Sequence, residues 1–444
     1  FSNKLFRALF SRFIVCRAIF SESRCFARRY PRRIMRISQI LSHRLNSFFM
    51  GKAFVNKKGA KRVRSSGHLW IYKSDVQRVE ADGGDVVSVF DEGKNFVGKA
   101  FYSDSSEITL RIFTTRNEPI DKEFWRKKIV EAAKQRSEPP AAAGGLNSQN
   151  TNAKRLVYSE GDLIPSLIVD DYNGIFVIQT LSQGSDKLKE TFVEILREEF
   201  SPAAIIERND AKVRQRENLP VQAGVLFGEV PDETIIEQDG IKFYIAPLEG
   251  QKTGSFLDQR ENHFAVRNYA AGRGLDCFTF NGGFALNLAQ VCEEVVAIDI
   301  SEDAINLAKR NAELNGVENI EFQTANVFDA LRDLEKAGEK FDCIVLDPPA
   351  FVKSRSALRS AVRGYKEINL RALKLLNKGG ILVTCSCSFH FSEEIFLQTL
   401  EESVRDAKRR VHLLEKRMQA ADHPILVGMP ETYYLKCFIL RVVE

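Results

Sequence analysis

The sequence predicts an α/β protein, with a doubly wound, Rossmann-like parallel sheet in its C-terminal half and a smaller β-rich unit before it. Two contrasts along the chain carry this reading. After about Thr234, short apolar strands alternate with amphipathic helices, the pattern of a parallel sheet covered on both faces. From Lys52 to about Phe113 the chain instead reads as short strands broken by Gly and Asp, which suggests a small barrel-like unit. The expected division is a leader over 1–50, a β-rich unit over 51–117, a central α/β unit over 118–235 and the doubly wound unit over 236–444.

The leader is set apart by charge. Residues 1 to 50 hold eleven Lys or Arg against Glu22 alone, so the rest of the chain is net negative although the whole is +5. Arg-rich, acid-poor sequence of this kind reads as an organelle transit peptide. The competing expectation is sequence upstream of a start at Met50, since Phe1 is not a start residue. The first implies a mitochondrion or plastid and the second the cytoplasm, which is the expectation adopted. No run of about 18 uncharged apolar residues exists, so no membrane helix is expected. The eight cysteines include no Cys-x-x-Cys pair, which argues against a disulfide framework or a zinc site; no metal is expected.

In the β-rich unit, Lys57, Lys58, Lys61, Arg62 and Arg64 come without an acid among them and are followed by His68 and Trp70. Cations suit phosphates and a flat ring suits an unstacked base, so this set is a candidate RNA surface. A solvated charged face is the ordinary alternative. The central unit is expected to contain a helix over 118–137, a Gly/Pro-rich loop from Pro139 to Asn152, strands near Leu163–Val169, Ile175–Thr180 and Ala204–Arg208, and a helix near Lys187–Glu199. It carries no catalytic motif.

In the doubly wound unit the strand Gly274–Phe278 runs into Gly282-Gly283, and the next strand ends at Asp299 about 20 residues on. Glycine permits close backbone approach, and an acid at that distance suits both ribose hydroxyls of an adenosine. The turn lacks a full Gly-x-Gly-x-x-Gly for a pyrophosphate, which favours S-adenosylmethionine (SAM) over a dinucleotide. Asn326 and Val327 end the third strand, where an amide would meet the exocyclic amine of adenine and an apolar side chain its ring.

Asp347-Pro348-Pro349 ends the fourth strand, with the prolines stiffening the turn that holds the carboxylate. Enzymes that methylate exocyclic amines often have Asn at this place and an aromatic residue after the prolines, whereas here Asp347 and Ala350 stand, so amine methylation loses weight. Thr384-Cys-Ser-Cys-Ser388 ends the fifth strand. Carbon 5 of cytosine is a weak nucleophile until a thiolate adds at carbon 6, a task to which cysteine is suited. Cys387 lies nearer the strand's carboxyl end than Cys385, and Cys385 reads as an ordinary buried cysteine.

Leu248-Glu-Gly-Gln-Lys-Thr-Gly-Ser-Phe-Leu-Asp-Gln-Arg-Glu-Asn262, Leu275-Asp-Cys-Phe-Thr-Phe-Asn-Gly-Gly-Phe284, Asp347-Pro-Pro-Ala-Phe351 and Ser386-Cys-Ser388 resemble the RlmI-like family, over residues 51 to 444. These are bacterial class I SAM-dependent methyltransferases acting on carbon 5 of cytosine in large-subunit ribosomal RNA. The resemblance implies an N-terminal PUA domain that binds RNA, a central α+β domain and a Rossmann-like catalytic domain. It implies Cys387 as nucleophile, with Phe280, Asn281, Asp299 and Asn326 contacting SAM and Gln251, Thr253 and Phe256 over the cofactor; Gly282 and Asp347 complete the expected site. A second cysteine, used for product release in the wider group, is replaced here by Ala350, leaving Asp347 or a water as the base. The other readings are an RNA methyltransferase acting on guanine or uracil, and a non-catalytic SAM- and RNA-binding ribosome-assembly factor. A homodimer is left open.

Overall fold

The computed structural model describes residues 51–137, 150–248, 255–351 and 358–444. The leader, the Gly/Pro-rich loop up to residue 149, Gln251 and Thr253 lie outside the described residues.

The N-terminal sheet has six strands, in the spatial order Trp70–Tyr72, Ile108–Thr114, Phe96–Tyr102, Val86–Phe90, Gly51–Val55, Val76–Glu80. Only the Gly51–Val55 and Val86–Phe90 pair is parallel. A helix not foreseen from the sequence, Lys57–Ser66, lies against it. Asn56 caps it by accepting the Gly59 amide, and Gly67 ends it at φ 68°. Its buried face is Gly59, Ala60 and Val63, too small to register as an apolar stripe. A Cβ on Gly59 would already meet Asp75, Ile71 and Val55 at 3.2–3.3 Å, so small residues let the helix lie close to the sheet.

The central sheet has five strands, in the order Gln222–Gly228, Ala204–Asn209, Ile175–Thr180, Leu167–Tyr172, Ala153–Tyr158. The two outer strands are additional to those read from the sequence. Helices Lys122–Ser137 and Lys189–Phe200 cover it. Phe101 and Phe113 of the first sheet pack on Trp125, with ring centroids 5.3 and 4.9 Å away, so the two units share one core.

The C-terminal sheet has seven strands: β1 (Arg273–Cys277), β2 (Glu294–Asp299), β3 (Ile320–Thr324), β4 (Phe341–Leu346), β5 (Leu376–Ser386), β6 (Val411–Met418) and β7 (Lys436–Val442). Their spatial order is β3-β2-β1-β4-β5-β7-β6, with β1 to β5 parallel and β7 antiparallel to both its neighbours. Strand order reverses between β1 and β4, so the carboxyl ends of β1, β2, β4 and β5 border the crevice where this topology binds ligands. The β6–β7 hairpin is not evident in the sequence, because β6 is half-exposed and charged along its length.

Candidate active site

The loop after β1 is held in a backbone shape that most residues avoid. Phe278, Phe280 and Gly282 take φ of 67°, 49° and 86°. Left-handed backbone costs a non-glycine residue roughly 1 kcal/mol or more, so the surroundings must enforce it. The amides of Phe278 and Thr279 both donate to the Ile298 carbonyl, at 2.9 and 3.0 Å. The Phe280 amide donates to Asp299 Oδ2 at 3.0 Å, and Ser301 donates to Asp299 Oδ1 at 2.9 Å. Each carboxylate oxygen keeps lone-pair capacity, which two ribose hydroxyls require.

Gly282 and Gly283 are needed for different reasons. A Cβ on Gly282 would meet only ordinary contacts at 3.5 Å, so its φ is the constraint. A Cβ on Gly283 would lie 2.4 Å from the His263 ring, so its constraint is steric. His263 is half-buried edge-on against Phe284, and desolvation holds its imidazole down to about 4, hence neutral.

Asp276, which is not among the residues singled out from the sequence, belongs to this group. It is buried, and its Oδ2 accepts the Thr279 hydroxyl at 2.6 Å. Burial pushes its carboxyl up to about 7. The Ala285 amide opposes that rise, so a buried acid with donors from Thr279 and the start of the next helix marks the end of β1. The available signal is an acid inside an apolar strand, shortly before the turn.

Asn281 is buried, and its carbonyl accepts the Asn311 amide at 2.9 Å. The Phe256 ring meets Phe280 edge-on at 4.9 Å, bringing the residues after the Gln251–Gly254 stretch onto the β1 loop. The third strand end also has a local duty. Asn326 Oδ1 accepts the Phe328 amide at 2.9 Å as the cap of helix Val327–Ala337. Val327 packs into the main core at the first position of that helix.

At the other side of the crevice, Asp347 follows β4 and is half-buried, its amide donating to the Cys277 carbonyl at 3.3 Å. The strand β5 stops at Ser386, leaving Cys387 half-buried just beyond it with Sγ 4.0 Å from the Pro348 carbonyl. Cys385 is different: it is fully buried opposite Cys437 in the β5–β7 register, and burial pushes its thiol well up. Tyr365 supports the β5 end, accepting from the Ser386 hydroxyl at 3.0 Å and stacking on Phe391 at 4.3 Å. Lys436, at the start of β7, is 2% exposed and donates to the Ser388 carbonyl at 2.8 Å.

The segment Asp258–Asn262 turns out to be a junction. Arg260 pairs with Asp422 at 3.0 Å and reaches the Ala153 carbonyl at 3.1 Å. Asp258 accepts the Tyr434 hydroxyl at 2.5 Å, Glu261 accepts the Ala421 amide at 2.9 Å, and Asn262 bonds Met418 and Arg417. It therefore ties the β6–β7 connection to the central sheet. Beside it, Arg155, Tyr158, Gln179, Asp258, His423 and Tyr434 line a cleft of about 710 Å³.

The basic N-terminal set divides. Lys57, Lys58 and Lys61 stand exposed on the helix. Arg62 pairs with Asp75 at 3.0 Å and lies over Tyr72, while Arg64 pairs with Asp91 at 2.7 Å. His68 is buried against Glu431 at 3.2 Å, and Trp70 Nε1 donates to Glu160 Oε1 at 2.9 Å. These two rings join the N-terminal sheet to the rest of the chain, a structural role beside the one expected from the sequence. Among the described residues no cluster of His, Cys, Asp or Glu could hold a metal ion, and no helix is long and apolar enough to cross a membrane.

Comparison with known proteins adds to this geometry. Residues 53–115 match the family model of a PUA-like domain, and residues 270–428 that of a methyltransferase domain. The chain is 37% identical over 393 residues to the ribosomal RNA large subunit methyltransferase I of Yersinia pestis (biovar Antiqua, strain Angola), covering 87% of this chain and 98% of that one. The same protein of Yersinia pseudotuberculosis serotype O:3 (strain YPIII) matches equally. Among solved structures, a SAM-dependent methyltransferase from Streptococcus mutans has the same fold, with TM-score 0.74, 20% identity and coverage of 88% of this chain and 100% of that chain. A methyltransferase crystallised with S-adenosylhomocysteine gives TM-score 0.75 at 20% identity, with the same coverage.

Proposed function

The chain belongs to the ribosomal RNA large subunit methyltransferase I family, and on that premise we propose that it methylates carbon 5 of a cytosine in large-subunit ribosomal RNA through a covalent adduct on Cys387. The cofactor is SAM, which when bound supplies an electrophilic methyl group. Asp299 holds its ribose. The observation that most supports the reaction is the placement of Cys387 and Asp347. One thiol is lifted out of the sheet onto the rim of the crevice, beside the Asp-Pro-Pro turn, while its neighbour Cys385 stays in the core.

The step follows from cysteine chemistry. The Cys387 thiolate bonds to carbon 6, and the electron pair of the 5,6 double bond moves to carbon 5, which would take the methyl group from the sulfonium of bound SAM and leave S-adenosylhomocysteine. Asp347, or a water that it orients, then removes the proton from carbon 5. The pair left behind restores the double bond as the carbon–sulfur bond breaks, returning the thiolate. Lys57, Lys58 and Lys61 supply phosphate contacts, and the cleft lined by Tyr158 and Gln179 offers the RNA a route between the sheets.

The test is transfer of labelled methyl groups to large-subunit RNA by wild type, Cys387→Ser and Cys385→Ser. Transfer should vanish only in Cys387→Ser. Full transfer by that variant points to guanine nitrogen chemistry, and loss confined to Cys385→Ser would move the nucleophile to Cys385.

A further inference from the structure

Lys436 is a buried cation that the reaction above does not use. Its side chain leaves β7 opposite Ser386 and ends at the Ser388 carbonyl, so its ammonium is fixed to the backbone directly after Cys387. That carbonyl is its one hydrogen-bond partner among the described residues, and no carboxylate forms an ion pair with it there. An ammonium so enclosed is short of negative charge, because one neutral acceptor does not replace its hydration. Its surroundings are Cys387 and Glu393 on the charged side, and Glu393 is already engaged by Lys416 at 2.7 Å and the Tyr433 hydroxyl at 3.1 Å. The other group acting on it is the Cys387 thiol, one residue before the carbonyl that holds the ammonium.

We propose that Lys436 is a positioning residue for the nucleophile, its ammonium stabilising the thiolate of Cys387 from the β7 side. The inference rests on Cys387 being the nucleophile. The Sγ–H bond breaks, the proton passes to solvent, and the electron pair stays on sulfur, next to a turn to which the cation is tied. Burial holds the Lys436 amine down to about 8, with Cys387 acting in the opposite direction, so a thiolate would keep it protonated. A purely structural lysine would fix the Ser388 turn without altering the thiol.

The experiment is the pH profile of iodoacetamide alkylation of Cys387 in the full chain, read by mass spectrometry of its peptide, for wild type, Lys436→Met and Lys436→Arg. In wild type the midpoint should lie at least about one pH unit below the ~8.5 of a free thiol. Lys436→Met should raise it by about one pH unit or more, and Lys436→Arg should keep it low. Equal midpoints in wild type and Lys436→Met overturn the proposal. So does a wild-type midpoint at or above that of a free thiol, which needs no variant to fold. If the midpoint moves as expected but Cys387→Ser still methylates RNA, the thiol activation stands and the cytosine reading falls.

Discussion

The Phe280 amide donates to Asp299 Oδ2 at 3.0 Å, joining the strained β1 loop to the end of β2. The carboxylate proposed to hold the ribose is thus also the group that holds Phe280 in its left-handed conformation. Asp299→Ala should weaken SAM binding by roughly 10- to 100-fold, the loss of one or two charge-assisted hydrogen bonds. Calorimetry with SAM checks this, and Asp299→Asn, which keeps one acceptor, should fall between. Unchanged affinity in Asp299→Ala removes the ribose role.

Gly283→Ala should destabilise the C-terminal unit by about 1–3 kcal/mol, because its Cβ would overlap the His263 ring. Adding His263→Ala should recover part of that loss in urea unfolding. Gly282→Ala should be costly without any such rescue, since backbone conformation is its constraint.

Asp276 gives a pH dependence of definite sign. Its folded carboxyl titrates near 7 against an ordinary 3.8. The buried acid is therefore neutral and costs nothing below about pH 4, and the fold weakens progressively from there up to about pH 7. Asp276→Asn removes that penalty. The stability of the variant minus that of wild type should rise between about pH 4 and 7, by up to about 1.4 kcal/mol for each pH unit crossed, and level off above. A constant difference across urea melts at these pH values counts against a raised carboxyl.

The basic residues should separate in two assays. Replacing Lys57 and Lys61 together by Ala should leave thermal stability nearly unchanged and lower the salt dependence of RNA binding by about 1.5 in log–log slope. Arg62→Ala should instead destabilise the N-terminal sheet, because Asp75 is 1% exposed and would lose its close partner.

Arg260→Met should cost about 3–5 kcal/mol, since it leaves Asp422 buried beside a lost cation. The effect belongs in unfolding curves, and whatever fraction stays folded should bind SAM with near wild-type affinity.

Much of the C-terminal unit is legible in the sequence, for a physical reason. Parallel strands buried on both faces, such as Cys343–Leu346, are continuous apolar runs, and the turns after them carry the Gly, Asp and Cys of the candidate site. The helix Lys57–Ser66 is hidden because its buried face is Gly59, Ala60 and Val63, a stripe without bulk. Strands Ala153–Tyr158 and β6 are hidden because charges interrupt their apolar pattern. Trp70 and His68 stand out as aromatic residues beside lysines, but their partners Glu160 and Glu431 lie far away in sequence and only folding brings them near. Asn326 suggests a ligand through its amide, and folding adds a local duty, since the same oxygen caps the next helix.

The position of β7 sets an order on assembly. Lys436–Val442 fills the gap between β5 and β6, backing Cys385 through Cys437 and bringing Lys436 under the Ser388 turn. Until residues 436 to 442 have been synthesised, β5 has an open edge and the nucleophile has no wall behind it. The N-terminal sheet depends on the same late segment, because Met429 packs into its core and Glu431 meets His68. The two ends of the fold are therefore finished together, by the last residues made.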